Sequence, residues 1–335
     1  MDPVTHALTS AALDRAGLRA LSRSALLVLL VSGTAPDLDL LSYLGGAEAY
    51  FHYHNAVLHS ILGGGVLAIA LAMSFWIFSR RGQREPLRFP HVLLLCALGA
   101  GVHVLLDCLG TEGVQLFWPF RERWFSLDLL PRIDPWILAV WIVGLLLPIL
   151  FGMVSEEIGE RKKKKAVSKA AVAALLVVVI YIGERGLMHQ QAMQTLMEYD
   201  YHGAVPLAAG AFPDSTSPFV WRGVVATANT VEQVSVPVNS AGRFDARSSL
   251  TSYKPEDSRA LSAAQRAVLA KEFLRYARFP LAEVQGIPNG SLVTLRDLRY
   301  PPDADALGNM RAVIELDSEM RVRSEEIEFA RSTEK

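Results

Sequence analysis

Cysteine is scarce in this chain, with two in 335 residues. Cys96 and Cys108 lie twelve residues apart on one predicted helix, about 18 Å of rise, too far for a bond, so cysteine says little about compartment. Net charge is also missing, at a formal −1. The N-terminus lacks the charged start, short apolar core and small-residue cleavage site of a removable signal peptide, and the first segment is expected to stay in place. No Lys-Ser/Thr follows the glycines at 63–65, which excludes a phosphate loop and leaves close helix packing as their role. No internal repeat of the kind common in transporters is visible.

Long apolar runs are abundant. Hydrophobic residues make up 51% and mean hydropathy is +0.26, but the two halves differ: the sequence is mostly apolar through residue 189 and ordinary mixed polar sequence from 190 onward. A bilayer core of about 30 Å takes roughly 20 apolar helical residues, because no water is present to satisfy the backbone. Segments 57–79, 135–154 and 167–187 meet this cleanly. Segment 90–109 does so while carrying His103 and Asp107, and 24–44 is interrupted by "APDLD". Segment 3–21 is weaker and would have to snorkel Asp14, Arg15 and Arg19 to one face. The expected fold is an all-α membrane bundle of five to six transmembrane helices over residues 1–189, followed by a soluble, sheet-dominated α+β domain over 190–335.

Orientation follows from basic residues. The connector "SRRGQREPLR" has four arginines against one glutamate, and "SEEIGERKKKKAVSK" six basic residues against three glutamates; both should be cytoplasmic. Threaded from these anchors, the C-terminal domain lies outside the cytoplasm. The same threading brings His6, Asp37, Asp39, His54, His59, His103 and Asp107 to one outer level, a convergence it was not built to produce.

Each group has its own local logic. His103 and Asp107, at i and i+4, share a helix face about 5–6 Å apart at Cβ, where an ionisable pair in an apolar helix is costly unless paired or coordinated. Asp37 and Asp39 follow a proline that ends or kinks the helix. His54 precedes the helix start and can fold back toward His59. His52 stands apart beside Tyr50, Phe51 and Tyr53, which read as an interfacial aromatic belt. Asp2 is an available N-cap with Pro3 at the first helical position, which leaves His6 one turn in.

"MDPVTHALTS", "APDLD", "HNAVLHS" and "GVHVLLDCLGTEG", followed by "WPF", resemble in order and placement the YdjM-like proteins, a family described as inner-membrane-associated metal-dependent hydrolases. The later "YARFP" and "LVTLRDLRY" are similar to the soluble tail of longer members. The resemblance implies a multi-pass protein of the bacterial inner membrane and a hydrolase similar to zinc-dependent phospholipase C and nuclease-type sites. It also implies that His6, Asp37, His54, His59, His103 and Asp107 match the family's recurrent polar positions. Asn55 and Leu58 depart from it, standing where the family segment carries arginine and threonine, and a missing arginine weakens clamping of phosphate or carboxylate.

Imidazole and carboxylate donors suit Zn²⁺, with Mn²⁺ or Fe²⁺ next. The number of donors points to one or two ions, with Asp37 as the bridge. His6, Asp37, His59, His103 and Asp107 are the expected ligands, and His54 a ligand or proton shuttle. Asp39 would orient a histidine or act as a general base. Depth at the lipid head groups makes membrane lipids the surroundings and a lipid or lipid-linked phosphoester the favoured substrate. No nucleic acid is expected, because the lysines at 162–165 are accounted for as a topology determinant. A non-enzymatic metal-binding sensor or scaffold with an outer partner-binding domain is the alternative. A transporter is disfavoured by polar groups at helix ends.

In the C-terminal half, "FVWRGVVATANTVEQVSVPV", "GSLVTLRDLRY" and "MRAVIELDSEMRV" alternate as strands do, with "NG" at 289–290 as a turn. "SAAQRAVLAKEFLRYA" predicts a helix with Ser262 as cap. Asp297, Arg299 and Tyr300 read as an exposed strand face, and the final "SEEIEFARSTEK" as frayed.

Overall fold

The computed structural model describes residues 1–82, 87–157, 167–199, 201, 203–238, 244, 249–300 and 310–329. Two compact units emerge: Met1–Asp39, Asn55–Leu187 and Ser215–Ser217 in the first, and Leu40–His54, Met188–Asp214 and Pro218–Lys335 in the second. The chain thus leaves the helical unit after Asp39 and re-enters it at Asn55. The lysines at 162–165 and part of the 79–88 connector lie outside the described residues.

The first unit is helical. Helix α1 (Pro3–Arg15) starts as the Asp-Pro pair dictates, with the Asp2 carboxylate accepting from Thr5 N–H at 3.0 Å. It stops after 13 residues, about 20 Å, where Gly17 takes φ +142, a conformation open to glycine. Segment 3–21 is therefore too short as a helix to cross a bilayer, and that expected span is corrected. Helix α2 (Ala25–Thr34) continues into the 3₁₀ stretch Ala35–Gly45, and α4 (Ile61–Gly82), α5 (Phe89–Leu109), α6 (Pro135–Glu157) and α7 (Lys169–Glu198) follow. By length and composition, four described helical stretches can cross a membrane: Ala25–Gly45, Ile61–Arg81, Phe89–Leu109 and Lys169–Glu198. Helix α6 spans 23 residues, and its apolar stretch among the described residues is Pro135–Pro148.

Helix α4 begins at Ile61, four residues later than expected, because the chain turns tightly over 54–60. Asn55 takes φ +55, and Ile61 N–H is satisfied by Leu116 C=O at 2.9 Å. A Cβ on Gly63 would meet Val57 C=O at 1.8 Å. This glycine thus admits the turn's own backbone rather than a neighbouring helix. The packing role expected of glycines at 63–65 belongs instead to Gly33, where α2 meets α1 and a Cβ would lie 2.3 Å from Ser10 Oγ, and to Gly99, where α5 meets α2 and a Cβ would lie 2.1 Å from Ser32 Oγ. One apolar cluster groups Val28, Leu29, Ala72, Leu95 and Cys96, and a second groups Ala12, Leu106, Leu130, Trp141 and Val178.

The second unit holds two antiparallel four-stranded sheets. One has the order β1 (Ala208–Pro213), β2 (Val220–Ala226), β3 (Thr230–Pro237) and β4 (Leu250–Tyr253); the other β5 (Pro280–Ile287), β6 (Gly290–Asp297), β7 (Met310–Asp317) and β8 (Val322–Phe329). The Asn-Gly turn joins β5 to β6 as its chemistry predicts. β7 alternates buried and half-buried residues along its whole length.

Several local expectations are corrected in this unit. The predicted helix divides into α8 (Arg259–Ala264) and α9 (Val268–Tyr276), since Ala267 is extended, and Ser258 rather than Ser262 supplies the cap. Residues 324–329 belong to β8 rather than to a frayed tail. Helix α3 (Ala47–Tyr53) carries Tyr50 and Phe51, at 6% and 2% exposure. Phe51 packs edge-on against Phe273 at 5.6 Å, which makes these rings domain core rather than an aromatic belt. Asp297 and Arg299 are buried too, joined Nε to Oδ2 at 2.7 Å, with the guanidinium over the Tyr276 ring at 4.5 Å. Burial opposes charge on Arg299, but Asp297 beside it and the Tyr300 and Tyr276 hydroxyls prevail and hold its pKa well above the ordinary value. These residues form an internal corner, not an exposed face.

Candidate functional site

The helices deliver their polar groups at alternating ends, as antiparallel neighbours must if the groups are to meet. His6 lies one turn into α1, Asp37 and Asp39 just past α2, His59 in the turn before α4, and His103 and Asp107 in the last two turns of α5. The structure brings five of the seven candidates, His6, Asp37, His59, His103 and Asp107, to one centre.

Asp107 is the hub. Its Oδ2 lies 3.0 Å from His103 Nε2 and 3.2 Å from His59 Nε2, and its Oδ1 lies 3.3 Å from His6 Nε2. The N-terminal amine of Met1 also contacts Oδ1. Asp37 Oδ1 stands 3.5 Å from His103 Nε2, and the Nε2 atoms of His59 and His103 are 3.1 Å apart. The His6 and His103 rings stack at 3.8 Å. His6, His59, His103 and Asp107 are all 6% exposed or less.

The outward-facing nitrogens are held from behind. His59 Nδ1 donates to Asp39 Oδ2 at 2.7 Å, and His103 Nδ1 donates to the Gly33 carbonyl at 2.8 Å. The second contact is possible because α2 approaches α5 closely at Gly99, where a Cβ would lie 3.1 Å from Gly33 N. With the proton on Nδ1, each neutral imidazole presents its Nε2 lone pair to the centre. Two lone pairs and a carboxylate oxygen at about 3 Å repel one another unless a proton or a cation lies among them. Among the described residues Asp37 Oδ2 and His6 Nδ1 are buried without a hydrogen-bond partner, and His6 Nε2 meets Asp107 Oδ1 outside good hydrogen-bond geometry, a costly state in a protein interior.

The donor set therefore fits a divalent cation. Two overlapping triads lie within ligating reach of one another: His6, His103 and Asp107, and Asp37, His59 and His103. Imidazole nitrogen backed by carboxylate or carbonyl is the usual pattern around zinc-type ions.

Two candidates take other places. Asp39 faces away from the centre, its Oδ2 also accepting from Asn55 N–H at 3.0 Å. His54 closes α3 in the second unit, where its ring stacks on Tyr50 at 4.6 Å, and it is in neither triad. Asn55, at the family's arginine position, gives its side-chain N–H to Gly113 C=O at 3.2 Å.

Sequence reasoning missed the loop that follows α5. Its residues 113, 115 and 116 bond to Asn55 and Ile61, tying the turn that carries His59. A cavity of about 10 Å³ lies beside Asp107, lined by Met1, Asn55, residues 110–112 and Arg132, room for about one water. In the sequence this loop is marked by "GTEG" and "WPF", which carry the family likeness and no ligand pattern.

A family model described as YdjM inner membrane protein matches residues 1–192. The curated Bacillus subtilis (strain 168) protein named "Uncharacterized protein YfhP" is 25% identical over 132 residues, which is 37% of this chain and 39% of that protein. The match thus spans well under half the length of that relative. No solved structure matches the chain.

Proposed function

The chain belongs to the YdjM inner membrane protein family, and from that premise we propose that it is a multi-pass, membrane-bound, metal-dependent hydrolase acting on a phosphoester or lipid-linked substrate at the outer membrane–water interface. One observation supports this above the others: four separate segments aim three imidazoles and two carboxylates at one buried point, while Asp39 and the Gly33 carbonyl hold two of those imidazoles from behind.

His6, His59, His103, Asp37 and Asp107 would hold the ion, and the mixture of nitrogen and oxygen donors favours Zn²⁺ over Mn²⁺ or Fe²⁺. When bound, a divalent cation acts as a Lewis acid that acidifies water and stabilises negative charge developing on a phosphoryl or acyl oxygen. Both triads draw on the same free nitrogen of His103, since its other nitrogen is spent on Gly33. Asp107, whose two oxygens face His6 on one side and His59 and His103 on the other, would hold the ion more centrally than Asp37. Asp39 fixes the tautomer and direction of His59, and this reading gives His54 no part in the chemistry.

Two features support the outer location. Basic connectors flank the opposite ends of the helices. In addition, Leu40–His54, which links α2 to α4, folds within the same unit as the C-terminal sheets, so the link and the C-terminal domain share a membrane side.

The test is metal content and phosphodiesterase turnover of the purified chain beside a His103→Ala, Asp107→Ala double variant. Loss of both in the variant is expected. Equal metal and equal turnover would end the hydrolase reading. The small size of the cavity beside Asp107 favours one second reading, a closed metal site in a sensor or scaffold; bound metal with no turnover on any phosphoester would select it.

A further inference from the structure

We propose that the loop between α5 and α6, residues 114–125, is a lipid-binding anchor: Phe117 and Phe120 enter the head-group layer of the leaflet beside the histidine–aspartate cluster, and Arg121 and Arg123 hold the phosphates of anionic phospholipids there. The inference rests on α4 and α5 crossing the membrane and needs neither a bound ion nor hydrolysis.

The loop starts at the rim of an apolar helix. Leu116 C=O accepts from Ile61 N–H at 2.9 Å, and Ile61 opens a stretch long and apolar enough to cross a membrane. Leu62, Val66, Ile69 and Met73 are exposed along one face of that helix, at helical spacing, a face that lipid covers when the helix spans. Phe117 and Phe120 lie within four residues of this rim and are 44% and 80% exposed, at the level where aromatic rings collect in membrane proteins. Charge points to the same partner. Arg121 and Arg123 are exposed, with Glu122 between them. They stand at the helix ends opposite Arg80, Arg81 and Arg88, where the distribution of basic residues that sets orientation calls for none. Apolar rings beside guanidiniums suit an anionic membrane surface, since the rings bury in the interface and the guanidiniums make charge-assisted bonds to phosphate oxygens. An apolar protein face would match the rings alone. The loop is also built before it binds. Val114 and Phe125 exchange both backbone bonds, at 3.0 and 2.8 Å, closing its base, and Phe120 and Arg121 N–H both return to Phe117 C=O, at 2.9 and 3.0 Å. A segment ordered beforehand loses little entropy on docking. Gln115 N–H bonds Asn55 C=O at 2.9 Å, and Leu127 N–H bonds Cys108 C=O at 2.8 Å. The base is thereby tied to the turn that carries His59 and to the residue after Asp107, so a bound leaflet fixes the height of the cluster relative to the lipid phosphates.

The experiment uses the full chain in two ways. In nanodiscs of phosphatidylcholine and phosphatidylglycerol, a polarity-sensitive fluorophore is attached, in a Cys96→Ala, Cys108→Ala background, at Phe120→Cys, at Ile69→Cys on the exposed face of α4, or at Ser318→Cys in the exposed turn between β7 and β8. The probe at 120 should be quenched by lipids spin-labelled near the head group and shielded from aqueous iodide. The probe at 69 sets the level for lipid and the probe at 318 the level for water. A probe at 120 as open to iodide as the one at 318 overturns the anchor, and one shielded from both quenchers shows protein covering the loop and overturns it too. In neutral detergent micelles, binding of dioctanoyl phosphatidylglycerol to the unlabelled chain is measured calorimetrically. Affinity should fall about fivefold for Arg121→Gln or Arg123→Gln and about 25-fold for the two together, while dioctanoyl phosphatidylcholine should bind the parent and the variants alike. Equal phosphatidylglycerol affinity in the parent and the double variant overturns the role of the arginines. Zn²⁺ affinity should stay at the parent's level in these variants, so failure of the anchor leaves the metal reading standing. Arginine-dependent lipid binding by a chain that takes no metal does the reverse.

Discussion

Replacing Asp39 with asparagine tests the cluster without touching a proposed ligand. The side chain is 7% exposed, and a single oxygen accepts from both His59 Nδ1 at 2.7 Å and Asn55 N–H at 3.0 Å. Asparagine keeps the shape and removes the charge. If its oxygen faces the pair, two charge-assisted bonds become neutral ones of about half the strength. If its amide turns, His59 must accept at Nδ1 and carry its proton on Nε2, which removes a lone pair from the centre. Either outcome weakens cation binding. Loss of such an outer partner costs about 10–100-fold in metal affinity, equivalent to about 1.4–2.8 kcal/mol. The assay is competition for Zn²⁺ between the purified chain and a chromophoric chelator, with the thermal midpoint followed in the metal-free chain. Ser74→Ala is the control, since Ser74 is exposed on α4 and bonds its own helix at Ala70 C=O. An Asp39→Asn affinity within about twofold of the parent would refute the argument that His59 is a ligand aimed by a carboxylate.

Three further outcomes are expected. Gly33→Ala should cost roughly 1–3 kcal/mol of stability and weaken Zn²⁺ binding, because its Cβ would meet Ser10 Oγ at 2.3 Å while Ser10 Cβ stays at 3.7 Å; adding Ser10→Ala should restore both in the same titration and melt, and failure of that rescue would count against the packing account. Gly63→Ala should lower Zn²⁺ affinity by moving the turn that carries His59, since its Cβ would fall 1.8 Å from Val57 C=O, whereas Gly65→Ala, which meets nothing, should bind as the parent does. Asp297→Ala should destabilise the C-terminal unit by about 3–5 kcal/mol, read as a lowered denaturation midpoint, because it leaves Arg299 buried without its carboxylate; a change of a few tenths would refute the buried-pair reading.

The sequence by itself determined that an apolar helical part precedes a sheet-bearing part, and it marked out the runs that become Ala25–Gly45, Ile61–Arg81, Phe89–Leu109 and Lys169–Glu198. Those properties follow from local rules: apolar run length, the i, i+4 spacing of His103 and Asp107, the Asp-Pro cap and the Asn-Gly turn. The second unit's strands were legible for the same reason, since alternation in β7 reports one buried face.

Only the tertiary structure decided the rest, because the deciding contacts join residues far apart in the chain. The partner of His103 is a backbone carbonyl at Gly33, and no residue type encodes a carbonyl. The sequence offered Asp39 as the partner of some histidine or as a base, and only folding paired it with His59. The excursion 40–54 looked interfacial because lipid and protein core select the same aromatic side chains, and only the rings they meet distinguish Phe51 packed on Phe273 from a residue facing lipid. Arg299 read as exposed because a strongly charged residue ordinarily is; burial became tolerable once folding placed Asp297 and two tyrosines around it.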